Sequence, residues 1–447
     1  MIEFLKSKLR GKRVLILGFG REGQSSFRLL KSIMPNLYVG IADKNPEIAN
    51  HQLLTDFDKE NLHCGNNYFD AFFNYNFIIK SPGVLLGGIK IGSNIEISSQ
   101  TSLFIEFYRN QIIGVTGTKG KSTTSSLIHF LFKSSGLKSE LLGNIGKPAF
   151  DSIAEIDEET KIVFELSAHQ LEFVKVSPRI AVLLNVFPEH LDYFDGLEKY
   201  EKAKINISRF QRDDDILICS SQVKNKLNTT ANTVCFGFDE NCNAYFSEGN
   251  LVFKNNGKTE LLNTEDISLP GKHNQLNVMA AVLAAKSAGL AISQSIKVIG
   301  GFKGLTHRLE FVGIHAGIKF YNDSISTIPE SSIEAVKALG NVDTIILGGF
   351  DRGLDYSSLA SFLNTSVIKN FIFLGKAGDE ILKQMQLRTE KSKQLFKVAD
   401  LPEAFEIIKE RTTKNGICLL SPAAASYDQF KNFEHRGNLF VELARKL

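Results

Sequence analysis

Lys121 and Ser122 are the residues whose type and spacing most directly indicate chemistry. They follow the glycine-containing loop Thr116–Gly120. Glycines let backbone N–H groups approach an anion closely, and a helix that starts at Lys121 adds its positive N-terminal end. A lysine in this position binds β- and γ-phosphates, and the following hydroxyl holds Mg²⁺. The strict Walker pattern has glycine at position 115, where this chain has valine, so the sequence predicts a variant phosphate loop.

A carboxylate and an imidazole follow two further apolar runs. Glu165 lies near the end of a predicted strand over 161–167, and a carboxylate at that end of a strand beside a phosphate loop is typical of an Mg²⁺ ligand. His190 leaves the end of the next predicted strand, over 180–186, and could bind a metal, orient a phosphate or form polar surface. The predicted helix over 197–205 offers several lysines, and periodicity alone selects none of them.

A second glycine pattern, Gly18–Gly23, has the spacing GxGxxG and follows a predicted strand over 12–17. Asp43 ends the next strand, 20 residues after Gly23. This is the Rossmann fingerprint, which predicts nucleotide or pyrophosphate binding with Asp43 on a ribose or base; a structural glycine turn is the alternative. Ser81-Pro82-Gly83 closes a later strand with a turn that could contact the same ligand.

The elements that must position these residues repeat a strand–turn–helix unit along the chain. Polar residues gather after each apolar run, which is where open α/β sheets bind ligands. Residues 230–262 predict a small antiparallel excursion, and the capping-box spacing of Ser426 and Gln429 predicts a helix from Asp428. We therefore expect an α/β protein with three domains in series: an N-terminal Rossmann-like domain (1–108), a central P-loop-type mononucleotide-binding domain (109–305) and a C-terminal Rossmann-like domain (306–447).

Composition restricts the class of protein. The chain has 447 residues, 43% of them hydrophobic and 23% charged, with a net charge of +3. Length favours two or three domains, and the near-balanced charge gives no indication of a nucleic-acid partner. Five scattered cysteines predict reduced thiols, and neither a signal peptide nor an apolar run of about 18 residues is visible. We expect a cytoplasmic protein with no membrane partner.

Several motifs together resemble the Mur ligases, enzymes of cytoplasmic peptidoglycan synthesis. The likeness covers essentially the whole chain, and its last stretch is similar to the branch that adds D-glutamate to UDP-N-acetylmuramoyl-L-alanine. The motifs that carry it are Thr116–Thr123, Gly143–Gly146, Glu165–Glu172, Gly304–Arg308, Tyr321–Ser324 and Leu420–Gly437.

The resemblance implies a monomeric ATP-dependent ligase that joins small-molecule substrates and uses Mg²⁺ at two sites. It implies catalytic roles for Lys121, Glu165, His190 and Lys204, with Ser122, Glu165, His190 and a carbamylated Lys204 as metal ligands. Lys204 is selected by an Ala-Lys match, two residues from Lys202. The implied ATP-binding residues are Gly117, Thr118, Lys119, Gly120, Lys121, Ser122, Thr123, Asn274, Arg308 and Asp323. The implied substrate-binding residues are Gly18, Phe19, Gly20, Asp43, Ser81, Gly83, Asn144, Ser167, Thr327, Arg352, Ser426 and Phe433.

The chemistry of such a ligase is coherent with these parts. ATP converts a carboxylate into an acyl phosphate, which an amine then attacks; this needs positioning and stabilisation of phosphoryl oxygens. Ile325, His169 and Lys119 depart from the family pattern, which leaves the branch that adds L-glutamate as an alternative. An NAD-dependent oxidoreductase built on Gly18–Gly23 and a catalytically silent nucleotide-binding scaffold are further alternatives, but the oxidoreductase leaves the phosphate loop without a role.

Overall fold

Short apolar runs form the strands, and most of the parallel ones lead into a turn and a helix. A computed structural model describes residues 1–86, 92, 94–189, 191–255, 257–269, 271–386 and 393–447. The strands are β1 Val14–Leu17, β2 Val39–Asp43, β3 Leu62–Cys64, β4 Phe77–Lys80, β5 Glu96–Ser98, β6 Ile112–Thr116, β7 Ser139–Gly143, β8 Lys161–Glu165, β9 Ile180–Leu183, β10 Ile216–Ser220, β11 Asn232–Gly237, β12 Ala244–Ser247, β13 Asn250–Asn255, β14 Lys258–Asn263, β15 Glu310–His315, β16 Ile318–Asn322, β17 Val342–Gly348, β18 Asn370–Leu374, β19 Gln394–Val398 and β20 Ile417–Leu420.

Amphipathic or largely buried segments between these strands form the helices. They are α1 Ile2–Leu9, α2 Arg21–Ile33, α3 Gln100–Tyr108, α4 Lys121–Ser134, α5 Ala168–Leu171, α6 Leu191–Phe194, α7 Leu197–Arg209, α8 Ser221–Lys224, α9 Lys272–Ser287, α10 Ile292–Ile299, α11 Pro329–Leu339, α12 Ser357–Thr365, α13 Gly375–Gln386, α14 Leu401–Arg411 and α15 Phe433–Lys446. Among the described residues, no helix combines the length and the apolar character needed to cross a membrane.

The described strands make three sheets that are mostly parallel. The first has the order β3-β2-β1-β4-β5, the second β14-β13-β12-β11-β10-β9-β6-β8-β7, and the third β15-β16-β20-β17-β18-β19. In the first sheet β1 lies between β2 and β4, and in the second β6 lies between β8 and β9. Loops that leave the carboxyl ends of such neighbouring strands diverge and leave a crevice between them, so both glycine loops open at a ligand-binding edge.

Two compact units contain these sheets. One comprises residues 1–266 with 273–300 and holds the first two sheets; the other comprises 267–272 with 301–447 and holds the third. The first unit has one buried apolar cluster that joins residues of both its sheets, such as Phe77 and Phe164. The boundary between domains that the sequence predicts at 108/109 therefore falls inside a unit, and the three-domain division stays a prediction.

Three local expectations need correction or refinement. The C-terminal helix begins at Phe433 and not at Asp428, because the side chain of Asn432 accepts the backbone N–H of His435 and caps it there. Residues 244–263 are antiparallel as expected, but they extend the second sheet through the parallel pairing of β11 with β12. Cys235 and Cys242 form a disulfide, contrary to the expectation of free thiols, because the turn after β11 brings them together.

Candidate functional site

The phosphate loop connects β6 to α4. Gly120 precedes the first helical residue, Lys121, and has a φ of +86°, a conformation that disfavours a side chain. A Cβ at Gly120 would also lie 2.4 Å from Oδ1 of Asn277 on α9. Both observations explain why this position is a glycine. The backbone N–H groups at the start of α4 can therefore bind an anion.

Two lysines meet at this loop. Lys121 Nζ donates to the carbonyl oxygens of Gly117 (2.9 Å) and Thr118 (3.0 Å), and Lys204 Nζ on α7 donates to the same Gly117 oxygen over 2.9 Å. The side chain of Lys204 is 1% exposed and its ammonium lies 4.6 Å from the ring centre of Tyr200. Burial is the main cause that lowers the pKa of Lys204 to about 7, and the positive charge of Lys121 is the next largest. Lys204 therefore has a large neutral fraction near physiological pH.

Glu165 is the last residue of β8 and is completely buried. Its Oε1 accepts a hydrogen bond from Nδ2 of Asn144 over 2.7 Å, whereas Oε2 is buried and has no hydrogen-bond partner. A buried carboxylate oxygen without a donor is costly, and a bound cation would satisfy it. Ser122 lies in the first turn of α4, and His190 lies outside the described residues.

Few of the described side chains could join Glu165 in a metal site. Within the described ranges, no group of three or more His, Cys, Asp or Glu side chains is arranged to hold a metal ion. Mg²⁺ commonly takes one or two protein carboxylates together with phosphate oxygens and water. The single buried carboxylate of Glu165 beside a phosphate loop fits that pattern.

Residues that sequence reasoning missed support the phosphate loop from β9 and α7. Asn185 Oδ1 accepts the N–H of Lys119 (2.8 Å), and its Nδ2 donates to the Lys119 carbonyl (3.0 Å). The Thr118 hydroxyl accepts the N–H of Phe187 (3.0 Å) and lies 3.1 Å from the hydroxyl of Tyr200. These contacts give the loop a fixed shape. Lys119 itself points outward and pairs with Glu189 over 2.7 Å.

The other predicted ATP residue of this unit, Asn274, lies at the start of α9 and is largely buried. Its Oδ1 accepts a hydrogen bond from Nδ2 of Asn277 over 3.0 Å. Asn277 also accepts from the hydroxyl of Thr124 on α4 over 3.3 Å. Asn274 is thus connected through Asn277 to α4, the helix that follows the phosphate loop. Thr123, another predicted ATP-binding residue, is buried in the same helix.

A cavity of about 400 Å³ lies between the glycine loop after β1 and the loops after β7 and β8. It brings together seven of the residues that the resemblance assigns to a substrate. They are Gly18, Gly20, Asp43, Ser81, Gly83, Asn144 and Ser167. These residues come from loops of both sheets of the first unit, so the cavity joins the two ligand-binding edges. Asn144 contacts Glu165 as well, which links the cavity to the candidate metal site.

A hydrogen bond connects Phe19 and Asp43, and of these two residues Asp43 lines the cavity. The ring of Phe19 is buried against Phe27 and His51 and does not line the cavity. Its backbone N–H donates to Oδ2 of Asp43 over 2.6 Å, and the N–H of Asn45 donates to Oδ1 over 2.8 Å. Each carboxylate oxygen of Asp43 therefore already stabilises the glycine loop or the turn after β2, besides lining the cavity.

Glu22 and Gln170 line the same cavity and were not anticipated. Gln170 Nε2 donates to Glu22 Oε1 over 2.7 Å, and Gln170 Oε1 accepts the N–H of Ser167 over 2.9 Å. Oε2 of Glu22 is buried without a hydrogen-bond partner, and burial raises the pKa of this carboxyl. The only sequence signal for Glu22 is its position inside the glycine fingerprint.

In the second unit, predicted residues follow the carboxyl ends of β16, β17 and β20. Asp323 Oδ1 accepts the N–H of Leu309 (3.1 Å), and Oδ2 accepts the hydroxyl of Ser421 (2.8 Å). Burial raises the pKa of Asp323 to about 6, against a smaller lowering by its hydrogen bonds and the nearby charge of Arg308. Asp323 is therefore held by the loop that contains Arg308.

Thr327 and Arg352 meet directly, because Nη2 of Arg352 donates to the Thr327 carbonyl over 2.8 Å. Ser426 is buried and follows Ala425, whose carbonyl accepts the N–H of Phe350 over 2.9 Å. Phe433 starts α15 and its carbonyl accepts the hydroxyl of Ser324 over 2.8 Å. The four residues predicted to bind the amino acid, three on loops and Phe433 at the start of α15, thus lie on segments that hydrogen-bond to one another.

Comparison with known proteins adds an independent finding. Residues 115–285 match a family model described as the Mur ligase middle domain. The chain is 32% identical over 457 residues to a UDP-N-acetylmuramoylalanine–D-glutamate ligase of Staphylococcus epidermidis, and the alignment covers 98% of both proteins.

Two solved structures share the fold. UDP-N-acetylmuramate-alanine ligase MurC from Thermotoga maritima matches with a TM-score of 0.58 at 19% identity, over 96% of this chain and 98% of the other. A MurF ligase from Thermotoga maritima in complex with ADP matches with a TM-score of 0.54 at 18% identity, over 85% and 92% of the two chains.

Proposed function

The chain belongs to the Mur ligase family of ATP-dependent, amide-forming ligases, and we propose that it adds D-glutamate to UDP-N-acetylmuramoyl-L-alanine in peptidoglycan synthesis. The observation that carries the proposal is the 32% identity to a D-glutamate ligase over 98% of both chains. A match of that extent includes the substrate-binding ends as well as the shared middle domain. In this proposal the protein is a cytoplasmic monomer of three domains, 1–108, 109–305 and 306–447.

ATP binds at the loop of residues 117–123 in this proposal. The N–H groups at the start of α4 hold its phosphates, and Lys121 exchanges its contacts to the loop carbonyls for β- and γ-phosphate oxygens. Asn274, Arg308 and Asp323 contact the adenosine part or the phosphates. Support comes from the fixed shape of the loop, which hydrogen bonds of Asn185 and Thr118 hold in place.

Two Mg²⁺ ions would be held by Ser122, Glu165, His190 and the carbamate of Lys204 together with phosphate oxygens, and they would neutralise charge on the phosphoryl oxygens. The orphaned Oε2 of Glu165 supports its role as a ligand. The lowered pKa of Lys204 supports carbamate formation, because only a neutral amine attacks CO₂. Forming the carbamate also replaces a buried positive charge beside Lys121 with a negative one.

The UDP part of the first substrate occupies the cavity of about 400 Å³. The glycine loop and the N-terminus of α2 offer backbone N–H groups to the diphosphate, and Ser81, Gly83, Asn144 and Ser167 line the remaining walls. Asn144 connects this cavity to Glu165 over 2.7 Å, so a substrate that enters from the cavity is directed toward the phosphate site.

The amine binds in the second unit at Thr327, Arg352, Ser426 and Phe433, where the guanidinium of Arg352 suits a carboxylate of glutamate. An oxygen of the substrate carboxylate attacks the γ-phosphorus, the bond to ADP breaks, and an acyl phosphate forms. The neutral amine of glutamate then attacks the acyl carbon, loses a proton and expels inorganic phosphate. Positioning and neutralisation of phosphoryl charge by Lys121 supply most of the rate enhancement.

Phosphate release with purified protein tests the assignment. With UDP-N-acetylmuramoyl-L-alanine, ATP and Mg²⁺, we expect phosphate release that depends on D-glutamate and is at least about a hundredfold slower with L-glutamate, because a misplaced amine loses the positioning effect. Faster release with L-glutamate would favour the alternative branch. Release with neither amino acid would contradict the proposal.

A further inference from the structure

Lys80 is a buried cation that the proposed chemistry does not use. It is the last residue of β4, and its side chain is 3% exposed. Its Nζ donates to the carbonyl oxygens of Ser81 and Pro82, each over 3.3 Å, and lies 3.8 Å from Oε2 of Glu172. The next four residues, 81–84, form the segment that we call the cavity wall loop, since all four line the cavity.

Tyr193 reaches the same loop from α6, the short helix between β9 and α7. Its hydroxyl lies 3.1 Å from the Pro82 carbonyl, 3.3 Å from that of Val84 and 3.2 Å from Oε2 of Glu172. Lys80 Nζ approaches the Tyr193 oxygen to 3.5 Å. The Ser81 carbonyl accepts the N–H of Val84 over 3.2 Å as well as the Lys80 ammonium, and the Pro82 carbonyl accepts from Lys80 and Tyr193.

The cavity wall loop packs directly on the glycine loop. Gly18 has a φ of +91°, and a Cβ on it would lie 2.8 Å from Cβ of Ser81 and from Cγ2 of Val84. The hydroxyl of Ser81 also donates to the Gly18 carbonyl over 2.8 Å. A displacement of the cavity wall loop would therefore change the shape of the cavity at two of its walls.

We propose that Lys80 and Tyr193 are positioning residues for the nucleotide-linked substrate, because together they fix the cavity wall loop between the glycine loop and the helices α5 and α6. The inference rests on the proposed function, which assigns UDP to this cavity. Tyr193 packs in addition against His169, with ring centres 4.2 Å apart, so the loop is anchored to a segment that follows Glu165 by only a few residues.

The charge of Lys80 gives this anchor a pH dependence. Burial lowers the pKa of Lys80 to about 8, and the neighbouring carboxylates of Glu172 and Glu22 oppose that lowering. The hydroxyl of Tyr193 and the ring of Phe173, at 5.2 Å, complete the surroundings. Above pH 8 the amine loses one donor and its attraction to Glu172, so we expect binding of the nucleotide substrate to weaken through that pH in the native protein.

The test compares Tyr193→Phe and Lys80→Met with a control, Tyr75→Phe, in the full chain. Tyr75 is also buried in the first unit, but its hydroxyl contacts His63 and Asn61 and it does not line the cavity. Isothermal titration with UDP gives Kd, and steady-state assays give KM for each substrate. In Tyr193→Phe the ring still packs on His169, and in Lys80→Met the side chain keeps an unbranched apolar stem but loses the ammonium group.

We expect Kd for UDP and KM for the UDP-linked substrate to rise about fivefold in Tyr193→Phe and about tenfold in Lys80→Met, as for a lost neutral and a lost charged hydrogen bond. KM for ATP and for glutamate should stay within about twofold, and Tyr75→Phe should match the native protein. The loss of affinity above pH 8 should disappear in Lys80→Met.

Two results would overturn the inference. If native protein binds UDP and both variants bind it equally well, the positioning role is wrong while the proposed function stands. If the three KM values rise together, the residues serve general stability only. Native protein that binds no UDP would instead refute the substrate assignment on which the inference rests.

Discussion

Lys121 and Lys204 donate to the same carbonyl oxygen, that of Gly117, each over 2.9 Å. Two ammonium groups on one oxygen repel each other, and one of them is fully buried on α7. The lowered pKa of Lys204 follows from its burial and from this neighbour. In the proposed function this repulsion would be relieved if phosphates attracted Lys121 and if Lys204 became a carbamate.

Carbamate formation should follow this pKa. The neutral fraction of the Lys204 amine increases as pH rises through about 7, whereas Lys202 on the same helix is 65% exposed and pairs with Glu198 over 2.7 Å. In ¹³C-bicarbonate we expect one carbamate NMR signal at pH 8 that fades below pH 6. The signal should be absent in Lys204→Ala and retained in the control Lys202→Ala. A signal that survives in Lys204→Ala would place the carbamate elsewhere.

Glu165→Gln should separate metal binding from stability. The glutamine carbonyl can still accept the hydrogen bond from Asn144, but the buried charge is removed. Because an uncompensated buried carboxylate costs free energy, we expect the variant to unfold at a higher temperature in EDTA. The Mg²⁺ concentration for half-maximal activity should rise at least about tenfold, as a lost charged ligand predicts. A lower melting temperature with an unchanged Mg²⁺ requirement would contradict the assignment.

Arg436 holds together the loops of the second unit. Its guanidinium donates to the carbonyls of Ser324, Ala424, Ala425 and Gly348 over 2.9 to 3.4 Å, and to the Ser324 hydroxyl over 3.0 Å. Arg436→Met would remove these donors and leave the Ala425 carbonyl with the N–H of Phe350, and the loss should cost on the order of 3 kcal/mol.

Hydrogen exchange measures this effect locally. Amides of β16, β17 and β20 should exchange about a hundredfold faster in Arg436→Met. Arg445→Met, an exposed arginine on the same helix, is the control and should leave the exchange rates unchanged. Equal rates in the two variants would show that the buried arginine does not hold the loops together.

Most of the α/β architecture could be predicted from the sequence, because apolar strands followed by glycine turns are local signals. The same signals predicted the glycine loop, Ser81-Pro82-Gly83 and the phosphate loop. The resemblance added Asn144 and Ser167, and the fold brings these two residues to the cavity that the glycine loop and Ser81-Pro82-Gly83 line. Boundaries were harder. Ser426 has capping-box spacing, but Asn432 provides the cap that the helix uses, and only the packed chain decides between two such caps.

Buried polar residues were the main omission. Lys80 ends the run Phe77-Ile78-Ile79 and is indistinguishable by pattern from an exposed strand end, yet it is 3% exposed. Glu22, Gln170 and Tyr193 acquire their roles through partners more than 100 residues away or across a cavity. No local pattern encodes such pairs. Phe19 shows the converse, since the resemblance implied a substrate contact, whereas its ring is buried against Phe27 and His51.

The central claim is that ATP activates the substrate carboxylate as an acyl phosphate. It is tested most directly with UDP-N-acetylmuramoyl-L-alanine that carries ¹⁸O in its carboxylate. The account predicts that each inorganic phosphate released during ligation contains one ¹⁸O atom from that carboxylate, because the acyl C–O bond breaks when the amine attacks. Phosphate without ¹⁸O, or label recovered in AMP, would contradict it.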